Sequence, residues 1–469
     1  MNKIKNQFLL WILVVSATVM ILNETVLGVA LPIISADFQV EPTIVQWLTT
    51  GFILVMAIVI PMTGFLIQRF STRSIFVAAV VLFSIGTVIA AIAPLFGVLL
   101  IARMIQAVGT AIMFPLLMTV AISTVPPEKR GATMGLIGVV ISLAPALGPT
   151  VSGLILSQLT WHWLFWTVLP IILFCLFAGI AFLTNVSEQQ AQPLDIPSVP
   201  LSALGFGGIV YGLSYMGNTI EHGDTNPVIA LAIGIISLIL FLLRQHKLSK
   251  RDAALLDLHP FQYRPFRIGA LAITFSMAVL LGTVIVLPFY LQQSLGVSAL
   301  QTGLLVLPGG FLQGIASPII GRLYDKYGPR LLALTGGICL TLGQIGLASQ
   351  GADARVAIIL ALHMLITLGF SLLITPFMTD SLAAIPPNLY SHASAIISTL
   401  QQVGGAVGTA LFIATMSIAT NASLASQNTP AVAAAHGSSA AFTVGIVLAL
   451  AALVTAWFSS KHAASPSNT

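Results

Sequence analysis

Glu24 stands inside a stretch that otherwise reads as lipid-soluble, FLLWILVVSATVMILNETVLGVALP over 8–32. The chain has 13 Asp and Glu in 469 residues, and the others fall in or beside predicted loops. An ionised carboxylate in hydrocarbon costs roughly 2.5–3.5 kcal/mol on insertion scales. It persists only where it faces a protein interior or a wet cavity, and there it can take up a proton or a cation. Arg103, in LLIARMIQAVG over 99–109, is the matching oddity: a guanidinium well inside a second apolar run. At 1.5 Å per residue, Glu24 lies roughly 6 Å and Arg103 roughly 10 Å outward of the midplane. These depths suit contact or a water bridge. Paired, the two would set how readily Glu24 exchanges a proton; the plainer alternative is an Arg bonded to backbone carbonyls.

The elements that hold these residues follow from composition. The chain is 57% hydrophobic and 7% charged, where soluble domains carry about 25% charge. Apolar runs near the roughly 20 residues of a membrane helix recur along its length. Fourteen are expected: 8–31, 44–67, 74–93, 97–123, 132–157, 161–183, 199–217, 227–244, 267–291, 302–322, 330–349, 354–378, 391–419 and 438–459. Little chain remains for a soluble catalytic domain. The first run lacks a small-residue cleavage site and is expected to be a retained helix. Cys175 and Cys339 fall in predicted spans, which points to unpaired thiols.

The net charge of +5 is explained by its distribution and is not a nucleic-acid signal. Sixteen of the 18 Lys and Arg fall on the side of the predicted spans that holds both termini; Arg355 alone lies opposite and Arg103 within a span. The positive-inside rule then places both termini in the cytoplasm. The most basic connection, from Arg244 to Arg267, is expected to anchor to the inner leaflet.

The chain repeats itself. IPMTGFLIQRFSTR begins at Ile60, and SPIIGRLYDKYGPR begins 257 positions later at Ser317. A second pair follows, Phe114-Pro115 leading to Pro126-Pro127 and Thr375-Pro376 leading to Pro386-Pro387. Spans 1–6 and 9–14 are therefore expected to be equivalent six-helix halves in parallel orientation, with spans 7 and 8 an inserted hairpin. The boundaries are 1–190, 191–260 and 261–469. Such halves suit a transporter that rocks about a central site.

These residues resemble the major facilitator superfamily, and within it the fourteen-span drug:proton antiporters of the lincomycin-resistance type. The resemblance implies an all-α membrane protein of major facilitator fold, with 14 transmembrane helices in two pseudo-repeat bundles. Gly321, Asp325, Gly328 and Arg330 match the family's loop signature. Asp325 is expected to meet a helix N-terminus or Arg330, forming a latch that breaks when the halves rock. In the first copy, which ends at Arg73, Gln68 replaces the acid and Ser71 the second glycine. The latch should therefore be asymmetric.

Pro145, Gly148, Pro149 and Gly153 in span 5 resemble the family's antiporter signature, with Ser152 in place of a glycine. They are expected to form a hinge or a tight seam. In span 1 the family's usual Asp is Asn23 and the acid has moved to Glu24, about 100° round the helix. Gln46, Trp47, Phe52, Phe114, Tyr290, Gln292, Gln293, Gln401 and Gln402 lie in family-like stretches and join Asn23 as candidates for the cavity lining. His363 could assist proton transfer, since imidazole titrates near neutral pH.

The expected activity is proton-coupled efflux of lipophilic, often cationic small-molecule drugs across a bacterial-type cell membrane by a multi-pass monomer. Its energy source is the proton gradient, with no cofactor and no metal. There is no phosphate-binding Gly-rich motif and no metal-spaced Cys/His cluster, so ATP-driven transport and enzymatic activity are not expected. The rival expectations are a dedicated exporter of an endogenous metabolite, lipid or siderophore, and a non-transporting receptor.

Overall fold

The computed structural model describes residues 2–40, 42–183, 185–186, 195–215, 224–250 and 254–459. Within them are fifteen α-helices: α1 (Asn2–Phe38), α2 (Pro42–Val45), α3 (Trp47–Arg69), α4 (Thr72–Ala91), α5 (Phe96–Thr124), α6 (Arg130–Leu156), α7 (Trp163–Phe182), α8 (Ser198–Ser214), α9 (Asn226–Ser249), α10 (Arg264–Phe289), α11 (Ala299–Tyr327), α12 (Pro329–Ala348), α13 (Val356–Ala383), α14 (Tyr390–Ala425) and α15 (Pro430–Trp457). Helices satisfy every backbone group internally, as hydrocarbon demands. Their ends carry local signals. Ser71 caps α4 by accepting from Ser74 N, and Ser298 with Gln301 forms a capping box on α11. Between α11 and α12, Gly328 takes φ +74°, a turn that an L side chain resists, and Pro329 starts the next helix.

The expectation of fourteen spans is corrected. Among the described residues twelve helices are long and apolar enough to cross a membrane. The expected spans without a counterpart in that set are 132–157 and 199–217, now α6 and α8. α8 has 17 residues, short of the roughly 20 needed. α6 runs unbroken for 27 residues and is wedged between the two halves. Hydropathy alone cannot separate a helix apolar because it faces lipid from one apolar because it faces protein.

In the first half α1 packs on α6 and α7, and α5 on α3 and α4; in the second, α10 packs on α14, and α12 on α13 and α15. α8 and α9 lie against each other, and α8 touches both α3 and α14. The boundary expected at 190/191 lies outside the described residues. The halves meet chiefly where α6 packs on α11 and where α14 packs on α3 and α5. Cys175 and Cys339 are free thiols.

Candidate functional site: a buried Arg-Asn-Glu cluster and the seam between halves

Arg103 on α5 is fully buried and positioned by four neighbours. Its Nη1 donates to Asn23 Oδ1 at 3.1 Å, to Asn23 O at 3.3 Å and to Gln106 Oε1 at 3.0 Å, and its Nε donates to Leu48 O at 3.5 Å. The guanidinium carbon stands 4.3 Å over the Phe52 ring. Gln106 in turn donates to Thr87 Oγ1 at 2.8 Å, tying the cluster to α4. Nη2 of Arg103 and Nδ2 of Asn23 have no hydrogen-bond partner among the described residues.

Glu24 follows Asn23, so the grip of Arg103 on that residue fixes the turn of α1 that carries the acid. The charge of Arg103 acts on the Glu24 carboxylate, but no ion pair within 4.0 Å forms between them. Glu24 is half-buried and makes no hydrogen bond among the described residues. Its other neighbour, Thr25, abuts α6: a Cβ on Gly148 would lie 2.1 Å from Thr25 Oγ1. The glycine of span 5 is thus what lets α6 close on the turn bearing Glu24. A Cβ on Gly153 would meet nothing within 4 Å, so no close approach requires that glycine. The side chains of Pro145 and Pro149 lie outside the described residues.

Two matched contacts join the halves at the end of the bundle that carries the repeated loops. In one, Asp325 accepts from Gly131 N at 2.8 Å and from Ala132 N at 3.0 Å, capping the first turn of α6. Of the two partners expected for Asp325 the helix terminus is the one formed; Arg330 instead lies 5.3 Å over the Trp457 ring. The helices approach so closely that a Cβ on Gly321 would stand 2.1 Å from Gly131 O. In the other, Gln68, at the position equivalent to Asp325, reaches α14. Its Nε2 donates to Asn388 O at 2.7 Å, and its Oε1 lies 3.0 Å from His392 Nε2. His392 Nδ1 accepts from Asp257 N at 3.2 Å, so the imidazole proton sits on Nε2 and is donated to Gln68. Gly64, the counterpart of Gly321, faces His392, with Nδ1 2.6 Å from a built Cβ. Arg73 is exposed.

His392 was not singled out in the sequence, although the repeat contains the signal. Pro126-Pro127 and Pro386-Pro387 lie 260 positions apart, and that shift carries Ala132, a partner of Asp325, onto His392. It also carries Arg103 onto His363. That imidazole is buried in the second half beside Gly309, whose built Cβ would stand 2.6 Å from Nε2, and its Nδ1 lacks a partner.

The remaining candidates scatter. Trp47 stacks on Tyr211 and Tyr215 of the α8 end, with centroids 6.0 and 5.8 Å away. Tyr290 is buried and donates to Gly351 O at 2.6 Å. Gln46, Gln292 and Gln293 are exposed, Phe114 is half-buried, and Gln401 is buried with Nε2 3.8 Å from Met378 Sδ.

Two helical halves related by an internal repeat, with ionisable groups buried within them, define a secondary-transporter architecture. The chain belongs to the Major Facilitator Superfamily, whose sequence model matches residues 13–409. It is a multi-pass membrane transporter of that family. It is 41% identical over 395 residues to the lincomycin resistance protein LmrB of Listeria monocytogenes, covering 84% of this chain and 83% of that protein. To the lincomycin resistance protein LmrB of Bacillus subtilis it is 37% identical over 447 residues, covering 94% and 92%. Among solved structures it resembles the human organic anion transporter MFSD10, with a TM-score of 0.68 at 14% identity, over 96% of this chain and 99% of that one.

Proposed function

We propose that this transporter is a proton-coupled drug antiporter that exports lipophilic, often cationic compounds by alternating access. Its coupling carboxylate is Glu24, and both termini are cytoplasmic. The observation that carries the reading is the placement of Glu24. It is an acid without a hydrogen-bond partner among the described residues, held beside the buried charge of Arg103 on a turn that Asn23 fixes. With no donor committed to it, the carboxylate is free to accept a proton from one side of the membrane or to attract a cationic or hydrogen-bonding drug from the other. A site that accommodates one of the two at a time exchanges them. Arg103 acts as a positioning residue, since its donors go to Asn23 and Gln106.

The two inter-half contacts supply the moving part. Asp325 of α11 docked on α6 and Gln68 of α3 docked on α14 hold one end of the bundle shut, and their release on rocking would open it. The drug specificity is supported by the two lincomycin-resistance relatives.

The test is drug-driven proton flux in vesicles, comparing wild type with Glu24→Gln, which keeps the shape and removes the charge. The variant is expected to lose proton-coupled efflux at least tenfold while still binding drug. Full coupled efflux by Glu24→Gln would overturn the assignment of Glu24. A wild type that moves no drug of a lipophilic panel, yet exports a metabolite of its host, would favour a dedicated exporter.

A further inference from the structure

A cavity of about 700 Å³ lies away from the Glu24 cluster, between the α8–α9 pair, the segment 254–262 and α14. Its walls are apolar. Phe206 and Leu238 come from the pair, and Leu400 and Val403 from α14. Beside it α9 exposes Ile239, Leu240 and Leu243, an apolar face suited to acyl chains. Its polar end is basic. Lys250 and Arg267, both exposed, line it together with His246 and His259, and no acidic residue does among those described. Ser249, 6% exposed, adds a hydroxyl with no hydrogen-bond partner among the described residues.

We infer that this cavity is a binding site for an anionic phospholipid, drawn from the leaflet at the basic end of the bundle. The apolar walls match acyl chain, and the size suits one part of a lipid, with the remainder of its chains left in the bilayer. Lys250 and Arg267 match a phosphate, and basic pockets between membrane helices take anionic head groups on the same grounds. A cationic drug is disfavoured by the same rim.

The site has a structural consequence. Its floor belongs to a chain of hydrogen bonds that runs from α8 to the seam. Gln245 Nε2 donates to Ser198 Oγ at 2.7 Å, Leu256 N donates to Gln245 Oε1 at 3.1 Å, and Asp257 N reaches His392. A lipid seated there braces segment 254–262 against α14 and so supports the His392–Gln68 contact. This inference goes beyond the transport reading and needs only that the chain is embedded in a bilayer.

The experiment is thermal unfolding of the purified full chain in neutral detergent, with added dioleoyl phosphatidylglycerol, dioleoyl phosphatidylcholine or inorganic phosphate. Phosphatidylglycerol is expected to raise Tm by roughly 4 °C or more at saturation, and the other two are not. Lys250→Gln with Arg267→Gln should remove at least half of that rise, and Leu400→Trp, which fills the cavity, should remove all of it. The double variant changes only exposed side chains, so it remains informative if Leu400→Trp fails to fold. Equal stabilisation by phosphatidylcholine, stabilisation by inorganic phosphate alone, or an unchanged rise in the double variant would overturn the proposal.

Discussion

His392 Nε2 donates to Gln68 Oε1 across 3.0 Å, joining two residues 324 positions apart and belonging to opposite halves of the protein. The imidazole is held as one tautomer by the Asp257 amide, so the contact has a defined polarity. Gln68→Ala leaves the His392 N–H and the Asn388 carbonyl without partners, a loss of about 1–3 kcal/mol for each group that water does not reach. That end of the bundle should then open more often. The measurement is alkylation of a cysteine introduced on α14 near His392. At least a threefold faster rate is expected in Gln68→Ala, and an unchanged rate would mean that the contact does not hold the end closed.

Gly321→Ala tests the opposite contact. The added Cβ would fall 2.1 Å from the carbonyl of Gly131, and backbone cannot move aside as a flexible side chain can. α6 and α11 must separate, which also stretches the two hydrogen bonds that the Gly131 and Ala132 amides donate to Asp325. Transport is expected to fall at least tenfold, with the protein still folded by circular dichroism. A fully active Gly321→Ala would show that the close approach is dispensable.

Gly148→Ala reaches the proposed coupling turn without touching Glu24. Its Cβ would lie 2.1 Å from Thr25 Oγ1, so α1 has to rotate or shift at the residue after the acid. Coupled efflux should drop several-fold, and Thr25→Ala, which removes the offending oxygen, should restore part of it. Failure of the second change to rescue would place the defect elsewhere in α6.

Asp195 closes the base of the α8–α9 pair. Arg244 donates to its two oxygens at 2.6 and 2.7 Å, and Ser198 adds a hydroxyl. These hydrogen bonds, those from Arg244 first, hold the Asp195 carboxyl below the usual carboxylate range. The unfolded chain therefore binds this proton more readily than the folded one. The stabilisation is present above about pH 4, the unfolded value, and is lost as the pH falls through the folded value. Asp195→Asn should lower Tm at pH 7, and the gap from wild type should shrink as the pH falls below about 4. A gap independent of pH would show that the charge of Asp195 contributes nothing.

Much of the scaffold could be read before any coordinates. Helices follow from uniform apolar runs, and the repeat at 60–73 and 317–330 set the expectation of two halves, because a turn signature with glycines and basic residues tolerates little drift. Asp325 was legible down to its class of partner. The span count was not, since α8 is apolar but short and α6 is apolar where it packs between the halves, and hydropathy distinguishes neither from a lipid-facing helix. Trp47 and Tyr290 read as cavity residues because aromatics in family-like stretches carry no sign of which way they face. In the structure one stacks on Tyr211 and Tyr215 and the other bonds to Gly351. The Gln68–His392 contact escaped because a lone His has no local signal; only superposing the two repeats brings it opposite Gln68.

The α8–α9 pair touches both halves, and the two contacts differ in kind. On the α3 side Trp47 is interleaved with two tyrosines, a geometry that tolerates little displacement. On the α14 side the boundary contains the 700 Å³ cavity, where few atoms interlock. If the halves swing past one another, slip concentrates where the interface is least toothed. The pair then travels as a passenger of the first half, and its face toward α14 becomes the bearing surface, with the proposed lipid as the lubricant film.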